Sequence, residues 1–448
     1  MDPAEKSTSP ATTLSSVWSI AGPSIAVFLM ATIAGVLIIK IVSGLGTPAV
    51  AAVTAGQRIN FVLVALLMGL GAATTAMVSR AWGAKNYTLA IAYTRLALKL
   101  GIGIAVIVGS LTAIFAEQFA QFFRLDAEAA PLAVVYIRWL SLFAVSQALV
   151  MVLSTACRAI GDAKTPLYFG VTANGTSVVL AWALCYGKWG LPALGLHGIA
   201  TGWGIAFSLT ALLYVLLWMS DRLSLRFRLP PDCETANVSR FIKVCIPATV
   251  EQLIMQAAML VFVYFIARHG TAAFAAYGVG INLLSVTIVI GMGFSIAAAA
   301  LVGQQLGANN RDKAVESGYS AMRLALIIMT VLGALTSYFA EQLASLLVKD
   351  PEVIRLTSQF VFVLGLVQPM LAIDLVLGGA MRGAGDTRYP LIAGIITAVG
   401  VRLTLAAIAT VLKLPVIWIF SIFLVDQLAK CSLILMRYRG KRWLRVLQ

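Results

Sequence analysis

Apolar residues in this chain come in long, little-broken runs, separated by short polar or basic breaks. A run of roughly 20 apolar residues crosses a bilayer as a helix, and these runs often exceed that length. With turn and charge breaks as punctuation, the pattern predicts spans near 14–42, 49–78, 88–113, 131–156, 166–187 and 194–218. The basic segment SDRLSLRFRLPPDCETANVSR, Ser220 to Arg240, interrupts the series, and spans near 242–267, 272–302, 316–339, 354–380, 390–412 and 415–436 follow. The short alternating segments of a membrane barrel do not occur in this pattern. The fold class is therefore all-α, an integral membrane protein with twelve transmembrane helices. The polar start MDPAEKSTSP leads into a run too long for the apolar core of a signal peptide, so Leu14 to Val42 is read as the first span.

The breaks repeat. RAIGDAKTP, Arg158 to Pro166, returns as RGAGDTRYP, Arg382 to Pro390, and 385 − 161 = 224 in a chain of 448 residues. The same offset pairs Pro23 with Pro247, Gly46-Thr47 with Gly270-Thr271, Met68-Gly69 with Met292-Gly293, Gly83-Ala84 with Gly307-Ala308, and Glu117-Gln118 with Glu341-Gln342. This pattern predicts a gapless tandem duplication: a bundle in 1–219, a cytosolic linker in 220–240 and a second bundle in 241–448. Six spans per copy bring the second copy into the membrane from the same side, so the repeats are parallel, with a cleft expected between them. In the doubled turn, Arg158 and Arg382 suit the negative end of a helix and the headgroups. Gly161 and Gly385 suit a left-handed cap, and Asp162 and Asp386 can cap the helix that follows. The glycines of WGAKN and LGANN, Gly83 and Gly307, are read in the same way.

Composition agrees with the span pattern: 60% hydrophobic residues, 11% charged and a mean hydropathy of +0.93 exclude a soluble globule. A net charge of +15 raises nucleic acid as a partner, but the distribution of charge gives it another cause. One side holds Arg124, Lys188, Arg268, Lys349, Arg355 and Lys413; the N-terminus, the loops after even-numbered spans and the tail hold roughly three times as many bases. That bias predicts that both termini face the cytosol. The five cysteines show no metal-ligand spacing, and no P-loop or zinc helix is present. The only histidines, His197 and His269, fall near the outer surface, so neither an intramembrane hydrolase nor ATP coupling is expected.

Ionisable residues within a span are costly and mark ion or substrate paths. Lys40 and Lys430 lie near span ends, from which both are expected to snorkel; Arg58, Arg138 and Arg402 could pair with carboxylates, and the sequence names no partner for them. Glu251 lies near the midplane of span seven, Asp374 falls in span ten and Asp426 in span twelve. Pro369, in the same span as Asp374, is expected to free a backbone carbonyl that could help hold a cation. At an offset of 224 the mates of these acids are Val27, Val150 and Gly202, so the acids belong to the second copy alone. Glu251 and Asp374 are the expected cation-coupling pair, with sodium as the candidate metal. Asp426, Asn174, Gln252 and Gln256 are further candidates for coupling or for lining the cleft.

The two R-x-x-G-D-x-x-x-P turns, the LGANN loop, GTAAFAAYGVGINL and the basic RGKRW tail together resemble the multidrug and toxic compound extrusion (MATE) family, in its NorM-like branch. The resemblance implies two six-helix bundles arranged as a V and no cofactor. It also implies a monomeric antiporter that exports amphipathic, cationic compounds in exchange for sodium or protons. A glutamate in span seven and an aspartate in span ten of that branch match Glu251 and Asp374. Where many members carry an aspartate in span one, this chain has Ile38, while Asn174 resembles another polar residue of that first-half site. A flippase for a lipid-linked precursor, on a related fold, is the alternative function.

Overall fold

The structure is a computed structural model that describes residues 14–123, 125–223 and 235–446. Every regular element among the described residues is helical. The first repeat runs α1 (Leu14–Ser43), α2 (Thr47–Gly83), α3 (Tyr87–Ile114), short α4 (Ala116–Phe122), α5 (Ala129–Leu142), α6 (Ala144–Ala159), α7 (Lys164–Tyr186) and α8 (Leu196–Met219). The second runs α9 (Val238–Ala267), α10 (Thr271–Gly307), α11 (Arg311–Tyr338), short α12 (Ala340–Leu347), α13 (Pro351–Gly383) and α14 (Arg388–Gly394). It continues through a π segment (Ile395–Leu403) into α15 (Thr404–Val411) and α16 (Val416–Arg439). Among the described residues, eleven helical stretches, with α14, the π segment and α15 taken as one, are long and apolar enough to cross a membrane. α5 and α6, bent by 48° at a one-residue break, complete the twelfth span. The predicted fourth span, 131–156, is therefore broken at Phe143. Its counterpart α13 is a single helix through Pro369. α2 and α10, of 37 residues each, are about 55 Å long and overrun the roughly 30 Å hydrocarbon core.

The repeat register is visible in the helix limits. α1 and α9, α2 and α10, and α3 and α11 begin and end at an offset of 224, and α7 and α14 begin at that offset. In the last span the register shifts. α8 and α16 begin and end 220 residues apart, since 416 − 196 and 439 − 219 both give 220, because the connection 412–415 is shorter than 187–195. The duplication is thus not gapless to its end. By helix limits the mate of Asp426 is Ala206 rather than Gly202.

The compact units of the fold are not bounded at the polar segment 220–240, of which 224–234 lie outside the described residues. One unit comprises Ala26–Thr249; the other joins residues 14–25 to Val250 and beyond. Each boundary lies inside a helix, α1 or α9, two residues after Pro23 or Pro247, and the boundaries are themselves 224 apart. Two glycines register the exchange. A Cβ on Gly69 would run into Thr249, and one on Gly293 would run into Ile25. Each repeat thus lends its first helical turns to the unit built mainly from the other.

The doubled turn takes the form its residues suggest. Gly161 and Gly385 have φ of 95° and 90°, where a side chain would be strained. Asp162 Oδ1 accepts from the Thr165 amide at 3.0 Å, and Asp386 Oδ1 accepts from the Tyr389 amide at 3.4 Å. The WGAKN and LGANN turns differ from expectation. Gly83 and Gly307 end their helices, and the positive-φ positions are Lys85 and Asn309, two residues later. Asparagine tolerates that conformation through its short polar side chain. The turns close by the same bonds, from Asn86 to Ala81 O at 3.0 Å and from Asn310 to Gln305 O at 2.9 Å.

Candidate functional site

All three predicted carboxylates lie in the unit that begins again at Val250, and all three are buried, at 2% exposure for Glu251, 4% for Asp374 and 0% for Asp426. Burial of a bare carboxylate is prohibitive, so each has found a base. Asp374, Gly378 and Arg382 stand at successive i, i+4 positions on one face of α13. The Arg382 guanidinium folds back along that face, 3.5 Å from where a Cβ on Gly378 would stand, and grips Glu251. Its Nη2 donates to Oε1 at 2.6 Å and its Nε to Oε2 at 3.2 Å. Glu251 lies against Gly394 of α14, where a Cβ would come within 4.0 Å of its Cγ.

Asp374 faces α16. Its Oδ2 receives Gln427 Nε2 at 3.0 Å and Lys430 Nζ at 3.1 Å. One residue before Gln427, Asp426 binds Arg402, whose Nε reaches Oδ2 at 3.0 Å and whose Nη2 donates to the same oxygen. Arg402 is carried by the π segment, and its guanidinium carbon sits 5.0 Å from the centre of the Phe423 ring. π-bulges recur at functional sites because the extra residue per turn redirects a side chain. Among the described residues, no hydrogen-bond partner reaches the buried Asp426 Oδ1. The adjacent residues Asp426 and Gln427 therefore tie the π segment and α13 to the same turn of α16.

The other expected residues fall elsewhere. Asn174 lies on α7, in the unit Ala26–Thr249, and donates to its own helix at Gly170 O, 2.7 Å away, rather than to a neighbouring helix. Gln252 and Gln256 are half-buried on α9. Ile38, at the position of the missing span-one aspartate, is part of an apolar core with Val42, Ala49 and Tyr136. The carbonyl that Pro369 frees is that of Gly365, which abuts Gly333 of α11. It stands nine residues, about 13 Å, from Asp374, too far to share a ligand with it.

Lys430 corrects the snorkelling expectation: it is buried at 6% and points inward to Asp374, whereas Lys40 is exposed as expected. Arg382, read from the sequence as facing the helix end and the headgroups, instead turns to Glu251. Sequence reasoning missed Arg382, Gln427 and Lys430 as partners and left Arg402 unassigned. The repeat carried a signal for two of them. The offset of 224 places Val178 opposite Arg402, and the offset of 220 that holds in the last span places Thr210 opposite Lys430, so these bases are as specific to the second copy as the acids they hold. Arg382 does have a mate, Arg158, which donates to Thr155 Oγ1 at 3.4 Å and has no carboxylate within ion-pair distance among the described residues.

Comparison with known proteins places this arrangement. The MatE family model matches residues 23–183 and 247–408, once in each repeat. A Thermotoga maritima protein named "Probable multidrug resistance protein NorM" is 27% identical over 349 residues, covering 78% of this chain and 74% of that protein. A Shewanella oneidensis protein named "FAD transporter" is 26% identical over 373 residues, 82% of each. Among solved structures, a variant of the Vibrio cholerae MATE transporter VcmN superposes with a TM-score of 0.88 at 18% identity, over 95% of this chain and 96% of that one. At that identity the likeness speaks for the fold, two pseudo-symmetric six-helix bundles. With both repeats matched by the family model, this chain belongs to the MatE family of membrane transporters and is not an enzyme.

Proposed function

We propose that the protein is a secondary active multidrug efflux antiporter, exporting amphipathic cationic compounds in exchange for sodium ions or protons by alternating access. It works as a monomer in the plasma membrane, with both termini cytosolic, and the coupling ion is its only inorganic requirement. One observation carries the reading: three buried carboxylates gather in one unit, at positions where the other repeat has only uncharged residues. A carboxylate needed only for packing has no reason to break the symmetry in the costly direction. Glu251 and Asp374, held from α13 and α16, form the coupling site. A cation moving inward through it draws about 2.3 kcal/mol per 100 mV from the membrane potential, a shift of more than tenfold in an equilibrium. The relatives named for multidrug resistance support export of drug-like compounds, and the one named for FAD supplies a second cargo to test.

The experiment is efflux from proteoliposomes loaded with a fluorescent cation or with FAD, under separately imposed sodium and proton gradients. Glu251→Gln and Asp374→Asn should each abolish gradient-driven efflux while inserting normally. If both variants concentrate substrate as the parent does, per mole of protein incorporated, the coupling site is not here.

A further inference from the structure

Among the described residues of the second repeat, four carboxylates of this unit are at most 4% exposed, and each is ion-paired with one base: Glu251 with Arg382, Asp374 with Lys430, Asp386 with Arg437, and Asp426 with Arg402. The charges cancel pair by pair. A monovalent cation binds where negative charge is in excess, so an arriving cation must first take a carboxylate from its base.

The four pairs are not equally able to give way. Arg382, Arg402 and Arg437 each engage their acid through two guanidinium donors, Nε and Nη2, a rigid fork that holds by geometry as well as charge. Lys430 alone is a single point charge on a flexible four-carbon stem, with one contact at 3.1 Å to an oxygen it shares with Gln427. If the ammonium swings away, Gln427 still holds Asp374 Oδ2, so the carboxylate stays in place. By either register the mate of Lys430 in the other repeat is uncharged, Ala206 or Thr210. A buried ammonium at that one site, beside an acid that is also unique to it, is a costly departure from the repeat.

Resting on the reading of Asp374 as part of the coupling site, we propose that Lys430 Nζ is a built-in competitor of the coupling cation. The ammonium fills the Asp374 site when no cation is bound, is displaced when the cation arrives, and returns to expel it. The other titratable groups near this stretch of α16 are Arg382 of α13, Arg388 and Tyr389 of α14 and Arg402 of the π segment, with Asp426, one turn before Lys430, and Cys431 on α16 itself; Arg382 and Cys431 feel the Asp374 charge at longer range. None of these reaches Asp374 through a hydrogen bond or ion pair among the described residues.

The test reads the cation concentration at half-maximal efflux in proteoliposomes, for whichever ion drives the parent. Lys430→Met removes the competitor at similar volume and should lower that concentration at least tenfold, about 1.4 kcal/mol. Lys430→Arg replaces the point charge with a fork and should raise it at least threefold. The second variant keeps the charge, so it decides the matter if the first fails to insert. Half-saturation within twofold of the parent in a well-folded Lys430→Met or Lys430→Arg protein overturns the proposal. Asp374→Asn separates the two levels. If that variant transports as the parent does, the coupling site itself is misassigned. If it is inactive while both Lys430 variants keep the parent's half-saturation, only the role of Lys430 falls.

Discussion

The Arg402–Asp426 pair offers a sharp test of whether a buried charge here serves stability or something else. Asp426 is fully buried and Arg402 is 5% exposed, so removing either partner strands the other charge in an apolar setting beside Phe423. Breaking a buried pair from one side costs about 3–5 kcal/mol, much of it the desolvation of the partner left behind. At about 2–4 °C per kcal/mol for a unit of this size, Arg402→Met or Asp426→Leu should lower the melting point on the order of 10 °C. The double variant should behave differently. Both Arg402 donors converge on Oδ2 while Oδ1 has no partner among the described residues, so the pair is incompletely compensated. Replacing both sides with apolar groups should therefore restore parental stability or exceed it by about 1–4 kcal/mol. The assay is size-exclusion chromatography with fluorescence detection after stepped heating in detergent, compared at one heating rate because such unfolding is irreversible. If either single variant melts within about 2 °C of the parent, or the double variant melts below both singles, the reasoning from uncompensated burial is wrong.

Two further outcomes follow from the doubled turn and from the charge pattern. Asp162 caps α7 through Thr165, so Asp162→Ala should cost about 1 kcal/mol. Asp386 caps α14 but also holds Arg437 at 2.8 and 3.0 Å, so Asp386→Ala should cost about 3 kcal/mol or more; equal melting shifts for the two would contradict the assignment of that pair. A single cysteine placed in 220–240 should resist an impermeant maleimide applied to intact cells and react once the membrane is opened. Labelling from outside would reverse the proposed orientation.

Much of the fold was written in one dimension. Span lengths follow from unbroken apolar runs, and the duplication follows from short turns whose glycine and aspartate have fixed backbone tasks, as at Gly161-Asp162 and Gly385-Asp386. The acids of the candidate site were legible for a related reason, since a carboxylate inside an apolar run stands out against a symmetric background. Their partners were not. Arg382 and Glu251 are 131 residues apart, and helices apolar on nearly every face carry no periodicity to say which side of α9 meets which side of α13. Lys430 was not legible because length along a helix gives depth but not direction, and a lysine near a span end turns inward only where a buried carboxylate such as Asp374 meets it. The bend at Phe143 escaped notice for want of a proline or glycine to mark it. The break lies where the ring of Phe143 fills the space that a side chain at Gly204 would need, a matter of packing between distant segments.

The exchange of leading segments between repeats has a consequence for how the chain is made. Residues 14–25 leave the ribosome well before the segment they pack with, which begins only at Val250. At about 5–20 residues per second, synthesis of the intervening 224 residues (249 − 25) takes on the order of 10–50 s, during which that stretch has reached the membrane without its neighbours. The unit Ala26–Thr249 waits as well, because its last piece, 238–249, lies in the second repeat. Neither unit can close while only the first repeat exists, so the order of assembly follows the nascent chain's second half. A messenger truncated at the polar segment would yield six spans with one helix end unclaimed and one vacancy unfilled, a natural substrate for membrane quality control.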